Sequence, residues 1–352
     1  MSEYIVQSSS LKAVADKIRE KTGDSAPLEF PDEFITAIDG LIDPSNPPAT
    51  PTDSVLFYSA SPFAILKNNP SGTALECSTD NINWESYVSA TTISAGKLGG
   101  WYRLYFRGRN NTTVSTAATQ CFQISGIGVK CVGNLNNLIN YSGNVTTIAN
   151  SALKGLFHSQ QAIDFDVTLP AVSVGNNAYE QMFYGCKSMT KAPELPATTL
   201  GNNCYHEMFW SCISLKTPPP VLPALALVVS CYESMFAGCY RLISPPPIMA
   251  TSLASACCKT MFQNCNNLEK LPKLYSTTLV TNCYTTMFYD CPKIKLSETQ
   301  TDEYQTPYII PYTGTGTGSG TNNMFLNTGG TFTGTPAINT TYYTSNELVP
   351  AT

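Results

Sequence analysis

The segment Cys204-Tyr205-His206-Glu207-Met208-Phe209-Trp210-Ser211-Cys212 is one copy of a motif that recurs along the second half of the chain. A Met-Phe pair, or Leu-Phe in the first copy, marks each recurrence, and these pairs begin at Leu156, Met182, Met208, Met235, Met261 and Met287. Successive positions differ by 26, 26, 27, 26 and 26 residues. A constant period of this length is typical of proteins in which each repeat stacks on the next and shares its core with it.

The apolar positions inside each repeat are four residues apart. In the copy quoted above they are Leu200, Cys204, Met208 and Cys212. A step of four places side chains on one face of an α-helix, so the pattern predicts a short helix that ends near the second cysteine. Proline-rich stretches between the motifs, such as residues 192–197, predict short irregular strands, because proline cannot donate a ladder hydrogen bond. Residues 143–300 are therefore predicted to form a strand–helix solenoid in the size range of leucine-rich repeats.

The N-terminal residues 1–42 have the periodicity of two short helices. Their apolar positions are Leu11, Val14, Ile18, Phe34 and Ile38. Helices of this length are not stable alone, so these side chains are candidate contacts for oligomerisation or for docking on a partner.

Three further segments complete the predicted organisation. Residues 43–53 form a proline-rich linker, which is expected to be extended and stiff. Residues 54–142 alternate strand-like runs with Gly, Pro, Asn and Ser, which is typical of a small β-sandwich. Residues 301–352 are predicted to cap the end of the repeats. The expected fold class is thus multidomain α+β, with a small N-terminal helical segment, a sandwich-like all-β domain, a leucine-rich-repeat solenoid and a C-terminal cap.

The composition argues against several classes of function. Charged residues make up 13% of the chain and the net charge is −5. Because no Lys/Arg cluster is present to neutralise phosphates, nucleic-acid binding is not expected. We find no basic segment followed by an apolar one at the N-terminus and no apolar run of about 18 residues, so neither a secretory signal nor membrane insertion is expected.

Ten of the thirteen cysteines lie in the repeats, where we interpret them as small buried core residues. On a helix, Cys204 and Cys212 would be about 12 Å apart. Equivalent cysteines on packed helices would be about 8–10 Å apart, whereas a disulfide needs Cα atoms within about 7 Å. A disulfide ladder is the less favoured alternative. Metal ligation is disfavoured too, because no Cys-x-x-Cys pair occurs, and no metal or cofactor is expected.

The repeats resemble the BspA-like leucine-rich repeats. The resemblance lies in the Cys-Tyr-x-x-Met-Phe-x-x-Cys-x-x-Leu pattern of residues 204–215, in the following Ala-Pro-x-Leu-Pro-Ala pattern seen at 192–197, and in residues 76–84 and 107–111 upstream. It implies surface display, adhesion and contact with a protein or glycan. Residues 10–23 and 30–34 look like the N-terminal segment of tail and fibre proteins of phages that infect gut bacteria. That second resemblance implies attachment to a virion through the N-terminal segment.

These observations favour a non-enzymatic phage virion protein, located in the tail or a fibre, that acts as a receptor-binding or adhesion subunit and binds a host-cell protein or glycan. Fibre-like proteins of this kind are usually trimers, so a homotrimer is expected. One alternative is a bacterial cell-surface adhesin with the same repeats, and a less favoured one is a tail-spike glycan hydrolase, for which Asp164, Asp166 and Glu194 are the acids near the predicted strand face. The candidate ligand-binding residues are Tyr184, Trp210, Tyr289, Asp166, Glu194 and Lys273. For the aromatic position after the Met-Phe pair, simple packing is the favoured alternative to ligand contact.

Overall fold

A computed structural model of the chain describes residues 46–310 and 320–350. The predicted N-terminal helices, with Leu11, Val14, Ile18, Phe34 and Ile38, lie outside these residues. Strands β1 to β18 span, in chain order, Val55–Ser59, Ala64–Lys67, Leu75–Ser78, Glu85–Ser86, Thr92–Ser94, Gly96–Leu98, Trp101–Gly108, Phe122–Ser125, Val129–Asn134, Thr147–Ile148, Ile163–Thr168, Ser173–Val174, Thr199–Leu200, Lys270–Pro272, Leu296–Ser297, Thr306–Ile309, Thr341–Thr344 and Glu347–Val349. Two 3-10 helices, Ala118–Gln120 and Leu135–Leu138, accompany them.

A seven-stranded sheet organises the first half of the described chain. Its strand order is β11-β9-β1-β7-β3-β4, with β6 also paired to β7. Strands β5, β2 and β8 form a second, antiparallel sheet. Phe57 of the first sheet and Phe122 of the second have ring centroids 5.2 Å apart, and both are fully buried. The two sheets therefore share a core. This core continues into the first repeat, because the ring centroids of Phe122 and Phe157 are 5.6 Å apart.

The predicted α+β class, with its strand–helix leucine-rich-repeat solenoid, is wrong. In residues 46–310 and 320–350 no α-helix occurs, and the strands are divided among several small sheets. Each expected repeat helix is replaced by a run of overlapping turns. In the copy at 175–186, Ala178, Met182 and Cys186 each donate an N–H to the carbonyl three residues earlier, at 3.2, 3.1 and 3.1 Å.

The intervening N–H groups bond to the next repeat instead of closing a helix. Tyr179 donates to the Cys204 carbonyl at 2.9 Å, and Phe183 donates to the Met208 carbonyl at 3.0 Å. In each run of turns, half of the backbone N–H groups therefore donate to an adjacent copy. This exchange explains why the repeats stack as closely bonded layers.

Positive φ at every fourth residue excludes the α-helix directly. In the same copy the φ angles of Asn177, Gln181 and Gly185 are 54°, 55° and 67°. Such residues lie in the left-handed region and cannot continue a right-handed helix. Because two successive turns use four residues, positions four apart still share one face. The step of four in the sequence therefore identifies the buried face, including the fully buried Met182, Met208, Met235, Met261 and Met287, but assigns it to the wrong element.

A β-branched residue in this conformation gives a stability prediction. Thr286 has a φ of 51°, where its branched side chain is strained. Thr286→Gly is expected to raise the free energy of unfolding by about 0.5–1 kcal/mol, because glycine tolerates positive φ. The neighbouring Thr285→Gly change is the matched control and should lower it by a similar amount. Urea denaturation of both variants tests this, and a loss of stability in both would contradict it.

All thirteen cysteines are buried free thiols. In the five repeats that have a second cysteine, its thiol donates to a phenylalanine carbonyl in a preceding layer. For Cys212 the acceptor is Phe183, with Sγ and oxygen 3.1 Å apart. The prediction of free thiols relied on the wide spacing between packed helices. That reason is wrong, because the described repeats contain no α-helix and their layers are hydrogen-bonded directly to each other. Cys257 and Cys258, of which only one was expected in the core, are both fully buried, and Cys258 occupies the position held by Tyr232 and Tyr284 in neighbouring copies.

Candidate functional site

A groove of about 480 Å³ opens between β11 and the proline-rich segment 191–196. One wall is formed by Phe165, Asp166, Val167, Thr168, Leu169 and Pro170, and the other by Lys191, Ala192, Pro193, Glu194 and Pro196, with Asn134 at one side. This volume is within the range of small-molecule and peptide sites.

Strand alternation and core packing place the β11 wall. Ile163, Phe165 and Val167 are buried, while Asp166 and Thr168 are exposed, as expected for a half-buried strand. The Phe165 ring lies 4.9 Å from the Phe157 ring and 5.0 Å from the Phe183 ring, measured between centroids. The strand is therefore held against the phenylalanine stack of the core, and its outward side chains have a defined position.

The opposite wall does not pair with β11. Ala192 donates its N–H to the Thr217 carbonyl at 2.9 Å, toward the following repeat. Pro193 and Pro196 have no N–H to donate. Backbone pairing is thus interrupted between β11, which follows the first copy of the motif, and segment 191–196, which follows the second. The gap between these two segments is the groove.

The groove brings together two of the predicted ligand-binding residues, Asp166 and Glu194, both exposed. Neither forms an ion pair with any residue in the described part of the chain. Lys191, which the sequence reasoning missed, lies on the same wall as Glu194. With two carboxylates and one ammonium, the groove has an excess of negative charge. Asp164, the third acid considered for a hydrolase, pairs in register with Lys130 of β9 and is not among the lining residues.

Lys273 lies apart from the groove. It follows β14 and donates its N–H to the Val349 carbonyl of β18 at 3.0 Å. Its side chain is exposed beside the C-terminal strand. Lys273 and the acids of the groove therefore do not form one site.

Two of the three predicted aromatic contacts form a stack on the outer surface. The ring of Tyr184 lies 4.6 Å from His158, with an interplanar angle of 4°, and 5.9 Å from Trp210, with an angle of 25°. All three side chains are half-buried. His158 was missed, although it occupies the same position after the Leu-Phe pair of the first copy. Tyr289 is separated from the stack by the layers that carry Ala237 and Gln263 at this position.

A second column of equivalent positions carries alternating charges. Glu180 binds Lys154 at 2.9 Å and His206 at 3.6 Å, and Glu233 binds Lys259 at 2.9 Å. Burial acts to lower the pKa of His206, but the attraction of the Glu180, Glu207 and Glu233 carboxylates outweighs burial, and the net pKa is raised. When it is protonated, the His206 imidazolium continues the alternation of charges along this column.

The two histidines should give opposite pH dependence. A raised pKa means that the stabilisation by His206 is fully present below a pH of about 6.5, the pKa of an unfolded histidine. It is lost as the pH rises through the raised pKa of the folded state. Burial lowers the pKa of His158, with the Glu207 charge opposing it, so His158 destabilises the fold as pH falls through that range. His206→Gln should therefore lose stability relative to the parent at pH 5.5 but not at pH 8.5. His158→Gln, its control, should gain stability at pH 5.5. Thermal melts at both pH values decide the matter, and identical shifts for both variants would contradict it.

Residues 46–310 and 320–350 contain no group of three or more His, Cys, Asp or Glu side chains that could hold a metal ion. In the same ranges there is no helix long and apolar enough to cross a membrane. No family model, curated protein or solved structure matches the chain.

Proposed function

We propose that this chain is a structural protein of a phage virion, located in the tail or a fibre, and that it acts as a receptor-binding or adhesion subunit. The observation that carries the proposal is the groove beside β11, a strand packed on the phenylalanine core, where the exposed Asp166 and Glu194 form no ion pair among the described residues. Binding sites are commonly held in this way, with a few polar groups on a pre-formed concave surface. The ligand would be a protein or glycan of the host-cell surface.

The aromatic stack of His158, Tyr184 and Trp210 supplies a second contact surface under the same proposal. Tyrosine and tryptophan are frequent in binding hot spots because they offer large rigid surfaces. Their mutual stacking also stabilises the layers, so the stack serves packing whether or not it binds a ligand.

The test has two arms. Immunogold labelling of phage particles with antibodies against this chain should place it on the tail or fibre. Fluorescently labelled chain should bind intact bacteria of a susceptible strain, and the double variant Asp166→Asn, Glu194→Gln should bind at least tenfold less. Glu298→Gln, an exposed acid outside the groove, is the matched control. Labelling of the bacterial envelope in cells free of phage would instead favour the alternative of a bacterial adhesin, and absence from particles with no cell binding would overturn the proposal.

A tail-spike glycan hydrolase is a second candidate, because two carboxylates of the type used by such enzymes line one groove. We propose binding without cleavage. Incubation of the chain with polysaccharide extracted from the susceptible strain should therefore release no new reducing ends. A release that the double variant abolishes would favour the hydrolase.

The proposal includes self-assembly through residues 1–42, with a trimer as the expected state and other virion proteins as further partners of that segment. Light scattering of the full chain should give three times the monomer mass. The triple variant Leu11→Glu, Val14→Glu, Ile18→Glu should dissociate it, whereas Lys12→Glu should not. A full-length monomer that binds no other virion protein through this segment would contradict this part of the proposal.

A further inference from the structure

The groove exposes the free edge of a β-strand. Strand β11 is the last strand of its sheet and pairs on one side only, in parallel with β9. The pairing runs from Ile163 opposite Val129 to Thr168 opposite Asn134. In a parallel pair, alternate residues direct both N–H and C=O to the partner, and the residues between them direct theirs away. Half of the six residues of β11 thus present backbone donors and acceptors to the other side.

These backbone groups are almost entirely unpaired within the described residues. No bond joins them to the facing segment 191–196, and one N–H, that of Phe165, is accepted by the neighbouring Asp164 carboxylate at 3.0 Å. The facing segment cannot supply a matching ladder because Pro193 and Pro196 lack N–H groups and Ala192 bonds to Thr217. The structure thus keeps a strand edge open, with room of about 480 Å³ beside it.

We propose that the groove binds an extended polypeptide segment as an additional strand beside β11, with a basic side chain of that segment placed between Asp166 and Glu194. The inference rests on the proposed receptor-binding function and assigns its ligand to a polypeptide class. Alternating backbone groups on a strand edge are matched by a second strand, with main-chain bonds giving affinity and side-chain pockets giving specificity. Six residues of strand correspond to about 20 Å of ligand.

The charges of the groove determine which kind of strand can pair with β11. A second copy of this chain would bring the same acidic edge against Asp166 and Glu194, and this repulsion protects β11 from self-association. A basic segment is attracted by the same carboxylates. The far wall complements the apolar side chains of such a segment, since the exposed ring of Pro196 stands there in place of a polar backbone N–H.

An array of synthetic nine-residue peptides provides the probe. Valine occupies every second position, and the intervening positions are Lys, Thr or Glu. Binding of the labelled full-length chain should be at least tenfold stronger for peptides with a central Lys than for those with Glu. N-methylation of alternate backbone amides in the best peptide should abolish binding, because it removes the N–H groups of one edge without changing the charge.

Variants of the chain complete the test. Asp166→Asn with Glu194→Gln should remove the preference for Lys over Glu, while Glu298→Gln should retain it. Hydrogen exchange of the folded chain should show amides of residues 163–168 protected by the best peptide. Binding that survives N-methylation, or no peptide binding at all, would overturn the inference. If the double variant then still loses binding to bacterial cells, and a surface polysaccharide competes for that binding, the ligand is a glycan and the proposed function stands without the inference.

Discussion

Replacing Phe209 by alanine is expected to lower the free energy of unfolding by about 3–5 kcal/mol. The ring is fully buried and stacks on Phe183 at 5.7 Å and on Phe236 at 5.5 Å, with interplanar angles of 2° and 13°. Deleting it removes apolar burial and leaves a cavity between layers that are joined by backbone hydrogen bonds and cannot easily collapse. Phe209 lies in the interior of a stack of phenylalanine rings that runs from Phe157 to Phe325.

The position of the cavity predicts how the variant unfolds. In a stack, each layer contacts only its neighbours, so stability is approximately a sum of nearest-neighbour terms. A weak interface at Phe209 should allow the layers on its two sides to unfold separately. Urea denaturation followed by circular dichroism and by the fluorescence of the adjacent Trp210 should then give two non-coincident transitions, whereas the parent gives one.

Leu225→Ala is the matched control for Phe209→Ala, because Leu225 lies in the same part of the stack but is 56% exposed. It should change stability by no more than about 0.5 kcal/mol. Equal losses in the two variants, or a loss below about 1 kcal/mol for Phe209→Ala, would contradict the assignment of the phenylalanine stack as the main core.

The sequence predicts which residues are buried better than it predicts the backbone that buries them. Period and spacing identify the columns of Met182, Phe183 and Cys186, all fully buried. The same step of four is shared by an α-helix and by a run of paired turns, so spacing alone cannot distinguish them. Local residue types contain part of the answer: Asn177 and Gly185 favour positive φ, but Gln181 between them does not.

The candidate site was predicted in part, for a related reason. Asp166 and Glu194 follow from their position in the segments between the turn motifs. Lys191 and the open edge of β11 do not, because the groove arises from an interruption of pairing between two copies and not from any motif. His158 was accessible to sequence reasoning, since it holds the aromatic position one period before Tyr184.

Lys67 is a buried titratable side chain that sequence reasoning overlooked, and it gives the second large effect. Lys67 ends β2, where a lysine would ordinarily reach solvent. It is instead fully buried, and its Nζ donates to the carbonyls of Val114 at 2.7 Å and Gln120 at 2.8 Å. Burial lowers the pKa of Lys67 to about 7, although the neighbouring Cys121 opposes the shift. A neutral amine still has two N–H groups for these two carbonyls, and the longer contact to the Asn68 carbonyl, at 3.4 Å, is the one that it leaves without a donor.

The lowered pKa fixes the sign of a pH dependence. Between pH of about 7 and the ordinary lysine value of about 10.4, the unfolded chain holds the proton and the folded chain does not. Folding stability should therefore rise with pH through this window, by as much as about 1.4 kcal/mol per pH unit. Lys67→Met removes the titrating group and leaves the carbonyls of Val114 and Gln120 without this donor. The stability difference between parent and variant should consequently grow by about 2–3 kcal/mol from pH 6.5 to pH 9.

Urea denaturation of the parent and Lys67→Met at pH 6.5, 8 and 9 measures this difference. Lys97→Met, a change at an exposed lysine of β6, is the control and should run parallel to the parent at all three pH values. Parallel behaviour of Lys67→Met would show that the amine keeps its proton in the folded chain. In that case the carbonyls of Val114 and Gln120 hold an ammonium ion against the cost of burial, and the junction between the sheets and the first repeat contains a buried charge at neutral pH.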